Sequence, residues 1–242
     1  LKLRTISAAR YRVLVDTNIE DRIRQDQIES FGRLMAGFAH DMKNHLGIIR
    51  ESNGLMGDIL GMGALGEDAR LVERLEKSIA SIERRVAVSA NILHHLSGLA
   101  HRPDTPCSSF QVNDLIEEEY AFLERFSRLK QVAVEWELGK GLPALYNDPA
   151  LLQHIIYRIY SQCLGVMESG HILTLITAQD GTNTLIAFRF PRTSRVEDNT
   201  FGNDILLAAI TKIGGSLERV ENKDDTIDIR LVLSSLVEED TE

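Results

Sequence analysis

The stretch Phe31–Ile49 reads FGRLMAGFAHDMKNHLGII. Met35, Phe38, Met42, His45 and Ile49 recur at heptad spacing, and Met56 and Ile59 extend the series. That period predicts one long helix from about Glu20 to Leu60. With Met35 and Met42 at position a, His45 falls at the seam position d, and His40 falls at f, on the far side from the seam. The segment GMGALGED (Gly61–Asp68) carries three glycines and then acidic residues, so it reads as a turn opening a second helix. That helix runs to about Ala100 with Val72, Leu75, Ile79, Ile82, Val86, Ser89, Leu93 and Leu96 on its stripe. A short connection makes the two helices antiparallel neighbours. Two helices cannot enclose a core. A symmetric homodimer that pairs two hairpins into a four-helix bundle would bury both stripes. Packing of the hairpin on the rest of its own chain is the alternative.

Beyond the hairpin the texture changes. HRPDTPCSSF (His101–Phe110) holds both prolines of its region and small polar residues, the signature of a boundary. The expected organisation is a segment 1–19 leading in from an upstream part, a helical hairpin over 20–102, a linker over 103–110 and a second lobe over 111–242. In that lobe Val112–Leu129 reads as a helix and VAVEWEL (Val132–Leu138) as a half-buried strand. Asp148 and Pro149 read as the N-cap and first position of a helix ending near Met167. His171–Ala178 and Thr184–Phe190 read as strands joined by a turn containing Asp180 and Gly181. Asn203–Ile213 reads as a helix closed by Gly214 and Gly215. Ser216–Val220 and Thr226–Leu233 read as the last strands. The expected fold class is therefore α plus α/β: an antiparallel helical hairpin forming a dimeric four-helix bundle, then an α/β sandwich lobe.

Composition narrows the function classes. The chain has 242 residues, 43% hydrophobic and 26% charged, with a formal net charge of −9. An acidic chain lacks the basic face that nucleic acid needs, so no nucleic-acid partner is expected. No apolar run approaches the roughly 20 residues of a membrane span. The two cysteines, Cys107 and Cys163, form no metal-binding spacing and no disulfide framework. A reducing cytoplasmic location is expected.

His40 is the residue with chemistry on an open helix face. Asp41 is adjacent and Asn44 lies one turn on, on the same face. A neutral imidazole is a nucleophile for phosphorus. A neighbouring carboxylate can take the hydrogen of the second ring nitrogen and so fix the tautomer. An amide one turn away can position a water or a phosphoryl oxygen. A lone surface histidine is more often inert, so this constellation alone decides little. His45, at the seam, is expected to be a buried and satisfied core histidine. His94 and His95 are expected at the bundle end, with no shared carboxylate cluster to make a metal site.

The quoted stretch resembles the phosphoacceptor box of sensor histidine kinases, in the subgroup that reads A-H-D-x-x-N. The second helix ends NILHHLSGLAHR, which is similar to the closing helix of that subgroup. FQVNDLIEE and then GLPALYNDPALLQHII (Gly141–Ile156) resemble the opening of the family's ATPase lobe, and ITKIGGSLER (Ile210–Arg219) its last helix and strand. RVLVDTNIEDR (Arg12–Arg22) faintly resembles the end of a PAS sensor domain entering a signalling helix. The likeness spans about Phe31 to Leu233. It implies that His40 is the phospho-accepting residue, that Asp41 assists transfer and that Asn44 supports hydrolysis of phosphorylated receivers.

The same resemblance exposes departures in the ATP lobe. Where the family has the two asparagines of its N-box, this chain has Arg158 and Gln162. A guanidinium stands where a divalent cation would need oxygen ligands. After Phe190 the chain reads PRTSRV, without the aspartate and glycines of the adenine motif, and the lid shrinks to DNTFGND. Binding of ATP and magnesium is expected to be lost, so no cofactor is expected. Arg189, Arg192 and Arg195 read either as a solvated loop or as a contact for an acidic partner or phosphate. Gly47 and Gly54 share His40's heptad position, and with Ile48, Glu51 and Leu55 they form a candidate docking strip for a partner helix; local helix flexibility is the equal alternative.

The expected function is two-component signalling: a phosphotransferase or phosphatase exchanging phosphoryl groups between His40 and the aspartate of response-regulator receiver domains, with an upstream kinase as a further partner. The resemblance is to histidine phosphotransferases that kept the kinase shape and lost ATP binding. Two alternatives stand beside it. One is a non-catalytic dimeric scaffold that docks receivers or a partner kinase. The other is an autophosphorylating kinase with an altered nucleotide site.

Overall fold

A computed structural model describes residues 8–61, 69–101, 107–196 and 200–236. Most of the expected turn after Gly61, part of the 103–110 linker and the acidic tail lie outside the described residues. The described chain falls into two compact units, one of residues 33–100 and one joining residues up to 32 with those from 101 onward.

Helix α1 spans Ala8–Gly61 and helix α2 spans Ala69–His101. Together they form a helical hairpin. Helix α1 starts well before Glu20, because the sequence from Ala8 to Glu20 contains neither glycine nor proline to stop it. In the unit of residues 33–100, Leu34, Ile59 and Ser78 are buried. The Ser78 hydroxyl donates to the Arg74 carbonyl one turn back, which satisfies it without a cross-helix partner. Val72, Ile79, Val86 and Leu93, seven residues apart on α2, remain substantially exposed.

The second unit is built on a five-stranded sheet. Its elements are β1 (Ser108–Phe110), α3 (Val112–Lys130), β2 (Ala133–Leu138), β3 (Leu145–Asn147), α4 (Pro149–Val166), β4 (Ile172–Asp180), β5 (Asn183–Pro191), α5 (Asp204–Lys212), β6 (Gly215–Glu221) and β7 (Thr226–Leu233). The sheet runs β2-β4-β5-β7-β6. Only the β2–β4 pair is parallel; the other neighbours are antiparallel. The β4–β5 hairpin closes Asp180 against Asn183, with Gly181 at φ 62° in the two-residue turn. The strands β1 and β3 pair separately and were not foreseen; three residues each give no usable period.

Helix α4 starts as its sequence dictates. The Asp148 carboxylate accepts the Leu151 amide at 2.9 Å, and Pro149 occupies the first turn. Its run LLQHIIYRIY is apolar on nearly every side, so it is buried all round. Leu152, Ile155, Ile159 and Tyr160 are fully enclosed, as are Phe188 on β5 and Leu231 on β7. Each aliphatic side chain so buried contributes about 1.5–3 kcal/mol. Helix α5 is capped by Asn203, whose side chain accepts the Ile205 amide at 2.8 Å, and it ends at Gly214, which takes the left-handed φ of 66°.

Candidate functional site

His40 lies on a helical stretch free of proline, in the unit of residues 33–100. Its side chain is 55% exposed, as position f requires. Both of its polar contacts are made by one ring nitrogen. Asp41 Oδ1 stands 3.3 Å from His40 Nδ1, and Asn44 Nδ2 stands 3.1 Å from the same atom. A single nitrogen cannot serve both at once. With a hydrogen on Nδ1 it donates to Asp41, and Nε2 carries the lone pair. With Nδ1 bare it accepts from the Asn44 amide, and Nε2 carries the hydrogen. Asp41 and Asn44 therefore select opposite tautomers of one imidazole. The structure brings all three expected residues together.

The strip residues follow on the same helix. Gly47, Ile48 and Leu55 are half-buried, and Glu51 and Gly54 are exposed. A Cβ built on Gly47 or Gly54 would meet nothing within 4 Å. A depression of about 860 Å³ runs along this part of α1, lined by Met42, Lys43, Asn44, Gly47, Ile48 and Glu51 among others. Its lining runs from Ala39 to Glu51 and includes Asn44, so it adjoins both the His40 cluster and the first part of the strip.

His45 differs from expectation. It is half-buried, but its Nδ1 is shielded from solvent with no hydrogen-bond partner among the described residues. It is therefore a half-buried histidine with an unsatisfied ring nitrogen, and not the buried and satisfied one expected. His94 and His95 meet edge to face with ring centroids 5.9 Å apart. No cluster of metal-ligating side chains occurs among the described residues.

The arginine trio is also corrected. Arg189 lies on β5, not in a loop, and its Nε donates to Asp228 Oδ1 at 2.9 Å, with Glu137 3.8 Å away. Arg192 pairs with Glu221 at 3.0 Å and Arg195 with Glu168 at 3.6 Å. Each guanidinium has its own carboxylate from a different segment, so the three do not converge on a shared anion. The Arg189 and Arg230 guanidiniums and the Asn222 amide hold the nearly enclosed Asp228 carboxyl below its usual range, against the opposing effect of burial.

On α4, Arg158 Nη1 lies 3.1 Å from Asp26 Oδ1 of α1, and His154 Nε2 lies 3.1 Å from Asp26 Oδ2. The latter approach is too oblique to count as a hydrogen bond, so it is an electrostatic contact. Gln162, one turn further along α4, buries its Oε1 without a partner among the described residues. Sequence reasoning did not find Asp26 or His154. The only local signal was a histidine inside the apolar run LLQHII, and nothing in that run points to a partner at the other end of the chain.

No protein-family model matches the chain, and no curated protein sequence does. Solved structures do. The Acinetobacter baumannii histidine kinase AdeS is 14% identical, with a TM-score of 0.46, over 78% of this chain and 97% of that one. The histidine kinase ThkA, solved in complex with the response regulator protein TrrA, is 15% identical, with a TM-score of 0.48, over 97% of this chain and 68% of that one. Full-length ShkA, solved with AMPPNP, is 15% identical, with a TM-score of 0.45, over 81% of this chain and 47% of that one. No helix among the described residues is long and apolar enough to cross a membrane.

Proposed function

We propose that this chain is a two-component signalling protein that exchanges phosphoryl groups between His40 and the aspartate of response-regulator receivers, without binding ATP itself. The observation that carries the reading is the sharing of His40 Nδ1 by Asp41 and Asn44, which leaves Nε2 as the reacting nitrogen. In transfer from a receiver, the Nε2 lone pair attacks the phosphorus of the aspartyl phosphate. The N–P bond forms, the P–O bond breaks and the electron pair leaves on the receiver's carboxylate. Positive charge spreads over the ring as this happens. The Nδ1 hydrogen, held by Asp41, is where that charge is met. Hydrolysis instead needs a water in line with the phosphorus, and the Asn44 amide is placed to orient one.

The expected loss of ATP and magnesium is part of this proposal. A magnesium site needs oxygen ligands. Arg158 contributes a cation engaged with Asp26, and the Gln162 carbonyl oxygen is shielded. These residues do not fit the nucleotide. The homodimer is likewise a proposal. It is supported by the heptad row Val72, Ile79, Val86 and Leu93, whose exposure a second hairpin would remove. The depression along Asn44, Gly47, Ile48 and Glu51 is proposed as the place where the receiver's helix approaches.

The test is to incubate the chain with receivers carrying labelled phosphate and follow label on both proteins. Label should pass to His40 or be released, and His40→Ala should do neither. Equal behaviour of parent and His40→Ala would replace the catalytic reading with that of a docking scaffold. Label arriving on His40 from ATP alone would restore the autokinase.

A further inference from the structure

An enclosed ionic cluster that bridges distant segments lies away from His40, within the unit that joins the start of α1 to the α/β lobe. Asp26 is only 11% exposed, His154 4% and Arg158 22%. Around Asp26, Ile23 and Ser30 are buried, three residues before and four after it, so one face of α1 is covered over two turns. His154 and Arg158 are likewise one turn apart on α4. At the outer edge Glu20 Oε1 accepts from Lys212 Nζ at 3.1 Å, tying the same arm to the last turn of α5.

A carboxylate removed from water is costly unless it is paired. Arg158 supplies the opposite charge, and the Asp26–Arg158 pair is neutral. A proton on His154 would make the cluster cationic. Burial, reinforced by the Arg158 charge and opposed by Asp26, holds the His154 imidazole below its usual range, so it stays neutral. The cluster is thus matched in charge and lies on the same covered face of α1 as the buried Ile23, a charged pair beside an apolar anchor.

We propose that α4 is the receptor for this chain's own N-terminal arm, Glu20–Gly32, with Arg158 and His154 recognising the Asp26 carboxylate and Ile23 seated beside them. The inference goes beyond phosphoryl transfer and does not depend on it. The residues that depart from a nucleotide site serve to hold a helix. The arm belongs to the same helix, α1, that carries His40. Removing the carboxylate leaves the half-buried Arg158 without its counter-ion, which favours release of the arm over loss of the lobe.

Hydrogen exchange of the full chain tests this, comparing the parent with Asp26→Asn, Arg158→Gln and the swap that joins Asp26→Arg to Arg158→Asp. Each single change should speed exchange of amides in residues 20–32 by about tenfold or more, because breaking one side of a buried pair costs more than the whole of a tenfold change. Amides of β4, β5 and β7 should be unaltered. The swap should return the arm towards the parent's protection. Unchanged exchange of the arm in both single variants would overturn the proposal. So would acceleration of the sheet to the same degree as the arm, which would make Asp26 a general fold residue. If Asp26→Arg does not fold alone or in the swap, the isosteric Asp26→Asn decides the matter.

Discussion

Asn44 Nδ2 and His40 Nδ1 stand 3.1 Å apart, on the nitrogen that Asp41 also approaches at 3.3 Å. The two neighbours therefore pull the imidazole towards different tautomers. Asp41→Asn weakens the acceptor for the Nδ1 hydrogen, so transfer between receiver and His40 should slow, by about 10²-fold at the lower end of general acid–base effects. Asn44→Ala leaves Nδ1 to Asp41, so transfer should survive while release of inorganic phosphate falls. His40→Ala should abolish both, with a stability change within about 0.5 kcal/mol, because an exposed side chain away from the core is removed. Labelled receiver, followed in parallel for transfer and hydrolysis, separates the three variants. Equal losses of both activities in Asn44→Ala would sink the assignment of a hydrolytic role.

Gly47 and Gly54 test the docking strip. Glycine inside a helix costs roughly 0.5–1 kcal/mol relative to alanine, and here a methyl group would meet open space. Gly47→Ala and Gly54→Ala should each raise stability by about that amount in denaturant unfolding. If the glycines are kept for close approach of a receiver, binding measured by calorimetry should weaken at the same time. A stabilised variant that binds the receiver as well as the parent would leave the strip without a purpose.

Val86 is 52% exposed in the middle of the α2 heptad row. Val86→Glu puts a charge into the proposed seam, where two copies would face each other. Ultracentrifugation should show the parent as a dimer and Val86→Glu as a monomer at micromolar concentration. A parent that sediments as a monomer would remove the bundle from the proposal.

The heptad of Phe31–Ile49 and the caps at Asp148 and Asn203 were legible because their determinants are local. A period, a capping side chain and a proline lie within a few residues of each other. The His40–Asp41–Asn44 constellation was legible for the same reason, being contained in five residues. What failed was everything set by distant pairing. The three arginines read as one cluster because they are close in sequence, whereas Asp228, Glu221 and Glu168, which divide them, come from other segments. Asp26 carries no sequence signal, and His154 carries only that of a histidine inside an apolar run, which does not name its partner. The early start of α1 was missed by waiting for a heptad, when the absence of any breaker before Glu20 was enough to let the helix begin.

His154 gives the lobe a predicted dependence on pH. In the unfolded chain its imidazole titrates near pH 6.5. In the folded chain burial holds it below that value, despite the neighbouring Asp26 carboxylate. The unfolded state therefore binds a proton that the folded state does not, over the interval below about pH 6.5. Stability contributed by this residue is complete above that pH and declines as the pH falls, at up to about 1.4 kcal/mol per pH unit. His154→Gln removes the titrating group and keeps a neutral donor that can face Asp26. Urea unfolding at a series of pH values from 7.5 to about 5, above the range in which ordinary carboxylates titrate, should give a steeper fall in stability for the parent than for His154→Gln. The difference in slope should approach one proton. Parallel curves for the two proteins would show that His154 is already charged in the folded state, and that its cluster with Asp26 and Arg158 is cationic and not neutral.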